Sequence, residues 1–278
     1  MEISKLLCGP VTPTTSPKVA NRSLLLDGGD LFSKYLDPQG FRIPKSTIIG
    51  HGNTGVVLQT GRNVVKLPLW RVGDTKDKSG LDYNFSFNLA ALRHEKEVYE
   101  RLGKSQWIVP YQDGGEATLV LEFMSNGSLS GYFAKNREAI TPVQMLHWFL
   151  QLATAVSFVH NSGVLLNDIH DGNVLLDCNL TVKLCDFGAA RIIASDEGLS
   201  QKHKDEVHLD IIDVTRIIYQ MTTGEEGRMM SKDFGLEERW LGWIMQRSMT
   251  GICSGGYSDA RDLIKDLEAE MARFDIKA

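Results

Sequence analysis

Three short stretches of this chain place phosphate-binding and metal-binding residue types in an order that phosphoryl transfer requires. The first is Gly50-His51-Gly52-Asn53-Thr54-Gly55-Val56-Val57. Glycines there remove the Cβ atoms that would keep backbone N–H groups away from phosphate oxygens. The second is Asp168-Ile169-His170-Asp171-Gly172-Asn173. It offers a carboxylate able to orient a hydroxyl nucleophile and, five residues on, an amide oxygen for a metal ion. The third, Asp186-Phe187-Gly188, adds a carboxylate at the end of a strand-like run, suited to the magnesium that bridges nucleotide phosphates. One such stretch is a weak signal, but three in this order and spacing form a constellation.

Each stretch has a plainer explanation. A Gly-x-Gly-x-x-Gly run can be a dinucleotide-binding turn, but that turn opens a helix at its third glycine. Here Gly55 is followed by the β-branched, strand-like Val56-Val57-Leu58-Gln59 and then a Thr60-Gly61 turn, so a hairpin folded over phosphates is expected. Asp168 and Asn173 are residue types that favour turns for their own sake. Their coincidence with Asp186 speaks for chemistry instead.

The elements that must position these residues can be read in outline. Residues 8–23 are rich in Pro, Ser and Thr without periodicity, and residues 1–40 are expected to be a flexible arm. Short β-rich runs from Ile48 to Pro68 alternate with Gly and Asn turns, which predicts an antiparallel sheet. Residues 70–88 read as a polar loop. Leu89, Leu92, Val98, Tyr99 and Leu102 then give helical spacing from Asn88, and Thr118 to Phe123 is another strand-like run. Thr141-Pro142-Val143-Gln144 has the form of a capped helix start, followed by Met145, Trp148, Phe149, Leu152, Val156 and Val159 on one face. Strands are expected over Val174–Asp177 and Thr181–Cys185. After Asp210, the residues Ile211, Val214, Ile217, Ile218 and Met221 predict a buried helix ending near Gly224. Later helices are expected over Glu237–Met249 and Asp259–Phe274. The pattern divides the chain into 41–124, rich in β, and 125–278, mainly helical, with the ligand expected in a cleft at their junction.

Composition narrows the function classes. The 278 residues, with 42% hydrophobic and 23% charged, suit a globular protein with an ample core. A net charge of -5 gives no electrostatic case for nucleic acid or an anionic membrane as partner. Cys8, Cys178, Cys185 and Cys253 lack metal spacing and read as reduced thiols. Cys185, next to Asp186, reads as a small buried residue, or as a thiol reachable from a nucleotide pocket. No apolar run is long enough to span a bilayer, and no signal pattern opens the chain. The expected compartment is the cytoplasm, with the nucleus as the alternative.

From about Ile48 to the C-terminus the chain resembles the eukaryotic protein kinase catalytic domain. That resemblance implies an α+β, bilobal protein kinase-like fold, with a small antiparallel β lobe and a larger, mainly α-helical lobe. It implies ATP and Mg2+ as cofactors. Gly50, Gly52, Gly55 and Val57 would then cover the nucleotide. Lys66, in Asn63-Val64-Val65-Lys66, would hold its phosphates. The lysine's partner would be a glutamate of His94-Glu95-Lys96-Glu97-Val98-Tyr99, with Glu95 the better fit and Glu97 the alternative. Leu121, Glu122 and Met124 would lie at the adenine, Leu121 controlling access behind it. Asp168 would be the catalytic base, His170 would stand beside it, and Asn173 and Asp186 would be the metal ligands.

The chain also departs from that family. Leu166-Asn167-Asp168-Ile169-His170 replaces the family's His-Arg-Asp and the lysine two residues later. Loss of the arginine removes the cation that would pair with a phosphorylated activation segment, so phosphate on Ser195 or Ser200 is not the expected on-switch. The histidine weakens the positive charge near the transferred phosphate. Asp-x-His-x-Gly-Asn is also similar to the loop of aminoglycoside and choline kinases. Only 22 positions separate Gly188 from Asp210, which aligns with the aspartate opening the family's central helix. No Ala-Pro-Glu lies between them, and the expected arginine partner is replaced by Gly255-Gly256-Tyr257-Ser258. Lys202-His203-Lys204 reads as a solvated basic turn or a contact for an acidic substrate.

The leading reading is an ATP- and Mg2+-dependent kinase acting on Ser/Thr of a protein substrate. The alternatives are a small-molecule kinase with a hydroxyl acceptor, and a nucleotide-binding pseudokinase or kinase-fold protein with other chemistry. Oligomeric state is not legible.

Overall fold

The computed structural model describes residues 31–73, 83–193, 201–224, 239–250 and 254–273. In chain order the strands and helices are β1 (Phe32–Leu36), β2 (Arg42–Pro44), β3 (Ile48–His51), β4 (Gly55–Thr60), β5 (Asn63–Pro68), α1 (Tyr83–Leu102), β6 (Tyr111–Asp113) and β7 (Leu119–Glu122). They continue as α2 (Leu129–Asn136), α3 (Pro142–Asn161), β8 (Val164–Leu165), β9 (Val174–Leu176), β10 (Val182–Leu184), β11 (Arg191–Ile192), α4 (Gln201–Thr223), α5 (Arg239–Met249) and α6 (Ala260–Arg273). Two compact units result, Met1–Glu100 with Pro110–Phe123, and Arg101–Val109 with Met124–Ala278. This is the mixed α+β composition expected of the kinase-like fold.

The first unit is built on a five-stranded antiparallel sheet of order β3-β4-β5-β7-β6. Alternation along β4 and β5 sorts its faces. Val56, Leu58, Val65 and Leu67 point one way into a core completed by Tyr35, Ile43, Leu69 and Val120. Gly55, Val57 and Lys66 occupy the alternate positions, with Val57 directly opposite Lys66 across the ladder.

Two local readings need correction here. Phe32–Leu36 lies within the stretch expected to be an arm, yet it is a strand paired with β2. Tyr35 is buried in the sheet's core, and Leu36 N donates to Trp70 O. Composition marks the arm's Pro/Ser/Thr-rich part, but not where tertiary packing ends it. Helix α1 begins at Tyr83, inside the expected 70–88 loop, because Phe85 packs on Trp70 at 4.8 Å between ring centroids and Asn88 Nδ2 donates to Leu69 O. The arm before residue 31 and most of the loop lie outside the described residues.

In the second unit α3 is the central helix. Thr141 caps it by accepting from Gln144 N, Pro142 opens it, and Trp148, Phe149, Leu152, Val156 and Val159 are buried. Met145, expected on that face, is only half-buried, and Leu146 takes its place. Strands β9 and β10 form the predicted hairpin, in register Val174↔Leu184 and Leu176↔Val182. An Asx turn closes it, with Asp177 Oδ1 accepting from Asn179 N and Thr181 N.

Helix α4 starts at Gln201 rather than after Asp210, so Asp210 lies within the helix and does not open it. The apolar run after Asp210 was legible. The preceding turns carry charged residues and are held by contacts such as the Arg191–Glu206 ion pair to β11 and His208 Nδ1 with Tyr257 O. Lys202-His203-Lys204 is therefore helical rather than a turn, with His203 buried. Ser195 and Ser200 lie outside the described residues. Among the described residues no helix is long and apolar enough to cross a membrane.

Candidate active site

In the first unit, Lys66 Nζ lies 2.7 Å from Glu95 Oε2, and the side chains are 11% and 2% exposed. Of the two glutamates considered, Glu95 therefore meets the lysine. Glu97 is two-thirds exposed, beside His94. The sheet register explains why a glycine is needed nearby. A Cβ on Gly55 would lie 2.8 Å from Lys66 Cε and 3.1 Å from its Cγ, so a side chain there would push Lys66 from the path to Glu95. At Gly50 and Gly52 an added Cβ would meet nothing within 4 Å. Those two glycines leave backbone open to an approaching group, whereas Gly55 clears a path for the lysine. The turn closes with Gly52 N donating to Gly55 O. Leu121 is buried in β7, and Glu122 is exposed with its amide committed to Pro110 O.

In the second unit, the β9–β10 hairpin decides which residues meet. Its register puts Asn173, just before β9, opposite Cys185, just after β10, and Cys185 N donates to Asn173 O at 3.0 Å. Asp186 follows immediately. The two expected metal ligands are thus delivered to the same end of one hairpin. Asn173 is also tied back to Asp168, its Nδ2 donating to Asp168 O at 3.3 Å. Asp168 and Asp186 are exposed, while Phe187 behind them is buried. The left-handed backbone that lets the chain turn here falls on Asp186 (φ 60°). Cys185 is half-buried with Sγ toward Asn173 O. Met124 is buried, and its carbonyl accepts from Gly127 N.

The loop that carries Asp168 hangs from α4. Asp210, 1% exposed, accepts from Leu166 N at 2.9 Å, Asn167 N at 2.8 Å and His160 Nε2 at 2.8 Å. This clamp holds Asn167 at φ 60°, a region Asn tolerates better than most residues. Its side chain donates to Ala189 O, where the family would place an arginine. His170 turns its Nδ1 onto Gly172 N at 3.1 Å. A Cβ on Gly172 would come within 2.9 Å of that ring. His160, Asp210's clamp, Gly172 and the Arg191–Glu206 pair were not found from sequence. The alignment of Asp210 with the family's aspartate, at the head of the apolar α4 run, was the one available signal.

The donor chemistry fits the expected groups. Asn173 and Asp186 offer hard oxygens of the kind magnesium takes alongside phosphate oxygens and water. Among the described residues no group of three or more His, Cys, Asp or Glu could hold a metal ion alone. A cation here would need ligands from a bound phosphate. The open backbone at Gly50 and Gly52 and the paired Lys66 suit a polyphosphate.

Comparison with known proteins agrees with this geometry, since residues 44–208 match the model of the protein kinase domain. The chain belongs to the protein kinase domain family. Similar proteins include the LEAF RUST 10 disease-resistance locus receptor-like protein kinase-like 1.4 of Arabidopsis thaliana, 32% identical over 112 residues, 38% of this chain and 17% of that protein. A probable serine/threonine-protein kinase of Dictyostelium discoideum is 26% identical over 182 residues, 60% of this chain and 13% of that protein. The probable serine/threonine-protein kinase zyg-1 of Caenorhabditis briggsae is 30% identical over 147 residues, 51% of this chain and 20% of that protein. The chain thus spans a fifth or less of these kinases. In the stretch where the family's arginine was expected, Tyr257 belongs to another cluster. Asp266 accepts from Arg247 Nη1 at 2.7 Å and Tyr257 Oη at 2.8 Å, and Arg247 lies over the Tyr257 ring.

Proposed function

We propose that the chain is a phosphotransferase that uses ATP and Mg2+ to phosphorylate Ser or Thr hydroxyls on a protein. The observation that carries this reading is the meeting of Asp168, Asn173 and Asp186 around one hairpin end, with Asn173 bonded to the Asp168 carbonyl. Asp168 would accept the acceptor hydroxyl's hydrogen bond and take its proton. Asn173 and Asp186 would hold magnesium, which when bound neutralises charge on the transferring phosphate. Lys66, kept in place by Glu95, would bind the nucleotide's phosphates. Leu121, Glu122 and Met124 would face the adenine. A cytoplasmic location accords with reduced thiols at Cys178 and Cys185.

A second reading is favoured by one observation. His170 commits Nδ1 to the Gly172 amide, so this loop lacks the lysine charge that protein kinases direct at the phosphate. With the short activation segment, that supports a small-molecule hydroxyl as acceptor.

The test is incubation with labelled ATP, magnesium and a mixed peptide and protein set, beside Asp168→Asn. Transfer by the intact chain alone is the expected result. Transfer only to metabolites would replace the protein substrate with a small molecule. ATP-dependent thermal stabilisation without any transfer would make the chain a pseudokinase.

A further inference from the structure

From Asp210 onward helix α4 turns a largely apolar face inward, with Ile211, Val214, Ile217, Ile218, Tyr219 and Met221 all within the core. One stripe differs. Asp213, Arg216 and Gln220 share a side of the helix and are each half-buried. Arg216 Nη2 lies 2.8 Å from Asp213 Oδ1 in an ion pair and donates to the backbone oxygen of Ile169 at 3.4 Å. Ile169 is the middle residue of Asp168-Ile169-His170, and its own side chain is buried.

The pair makes little sense as a stabiliser of the helix. An i,i+3 ion pair on a helix contributes only about 0.2–0.5 kcal/mol, and apolar residues would bury more cheaply there. Its meaning lies in what it touches. Four successive residues of the loop are each gripped by one polar group. Asp210 takes the amides of Leu166 and Asn167, Asn173 takes the Asp168 carbonyl, and Arg216 takes the Ile169 carbonyl. Without Arg216 the oxygen of the peptide between Ile169 and His170 has no other side-chain donor among the described residues, and Asp168 is held from its upstream side and by Asn173.

We infer that Asp213 and Arg216 are positioning residues for Asp168: Arg216 fixes the carbonyl that follows it, and Asp213 fixes the guanidinium. This rests on the phosphotransferase reading above. The electrostatics agree with the placement. Burial chiefly raises the Asp213 carboxyl above its ordinary range, Asp210 and Asp168 push the same way, and Arg216 and His170 oppose them. Asp213 therefore lies within electrical reach of both polar residues of the turn.

Arg216→Met, Arg216→Lys and Asp213→Asn test this in the full chain. Kinetics with ATP and an acceptor are measured beside amide exchange over residues 166–170. Arg216→Met should lower kcat about 10- to 100-fold, as misplacement of a reacting group does. The KM for ATP should stay within about twofold, since nucleotide binding is not the interaction removed. The melting temperature should shift by no more than about 2–4 °C, the effect of about 1 kcal/mol in a chain of this size. Arg216→Lys should recover part of kcat, because an ammonium can still donate to the carbonyl but cannot fork to Asp213 as well. Asp213→Asn should fall between the two. Unchanged kcat in Arg216→Met, beside an active wild type, overturns the inference and leaves the phosphotransferase reading intact. If the wild type transfers no phosphate, that reading fails instead. The inference is then decided by exchange of the His170 amide, which must quicken in Arg216→Met; unaltered exchange overturns it.

Discussion

Asp210→Ala is the substitution that most directly tests how the Asp168 loop is held. The carboxylate is 1% exposed and accepts three hydrogen bonds, two from backbone amides and one from His160. A bond to a charged group contributes about 1.5–3 kcal/mol, and each buried donor left unpaired costs about 1–3 kcal/mol. Leu166 is buried, so its amide would be left unpaired away from water, and the Nδ1 of His160 already has no hydrogen-bond partner among the described residues. Some of the loss is offset, because a freed Asn167 can leave its left-handed conformation, which stores about 1 kcal/mol. A net loss of about 3–5 kcal/mol follows, as for other buried pairs stripped of one partner. At about 2–4 °C per kcal/mol, the second unit should melt roughly 6–20 °C lower. Calorimetry reads that shift, and amide exchange locates it, since the Leu166 and Asn167 amides should lose protection before the rest of the unit. Catalysis should fall as well, because Asp168 is the next residue along. A variant that melts within a degree of wild type, with both amides still protected, would show that Asp210 does not anchor the loop.

Other outcomes follow from single contacts. Gly55→Ala should leave the sheet folded but displace Lys66 from Glu95, because the new Cβ lies 2.8 Å from Lys66 Cε; phosphate transfer should fall about tenfold or more, and wild-type turnover would count against the steric account. Gly256→Ala should destabilise by about 1–3 kcal/mol or more in chemical denaturation, because its Cβ would meet the Thr250 backbone oxygen at 1.8 Å. Gly52→Ala, with nothing within 4 Å, is the neutral control, and equal losses at both positions would be the contrary result. Asp37 supplies a pH test. Burial raises its carboxyl above the ordinary range, against the amides of Phe41, Gln39 and Gly40. A folded pKa above the unfolded one means its stability contribution is full below the unfolded value of about 3.9 and lost as pH rises through the folded one. Asp37→Asn should therefore flatten the fall in melting temperature on going up through that window, whereas parallel curves would refute the assignment.

Much of the site could be read before any coordinates. The Gly50-x-Gly52-x-x-Gly55 run followed by β-branched residues fixes a hairpin, because two-residue alternation and glycine's missing Cβ are properties of the chain itself. Thr141-Pro142 starts α3 for equally local reasons, a side-chain cap and a preset φ. Asn173 and Asp186 could be named as candidate metal ligands through the family resemblance, which their hard oxygens suit. The α1 start, β1 and the first half of α4 could not be read this way. Trp70 under Phe85, Tyr35 in the sheet core and Glu206 on Arg191 are contacts between residues distant in the chain, or between turns with no periodic signal of their own.

The choice of Glu95 over Glu97 shows the division most plainly. Sequence put both on one helix and favoured Glu95 on spacing alone; the rotation of α1 against β5 then buried it and left Glu97 in solvent. The same holds for Asp210, Asp213 and Arg216. Composition marks them as charges in an apolar helix, but a charge has no preferred partner until packing supplies one. Local rules act through bonds a few residues long and are written in the residue types. The pairing of Lys66 with Glu95, and of α4 with the Asp168 turn, depends on where chain segments come to rest, and tertiary structure alone decides that.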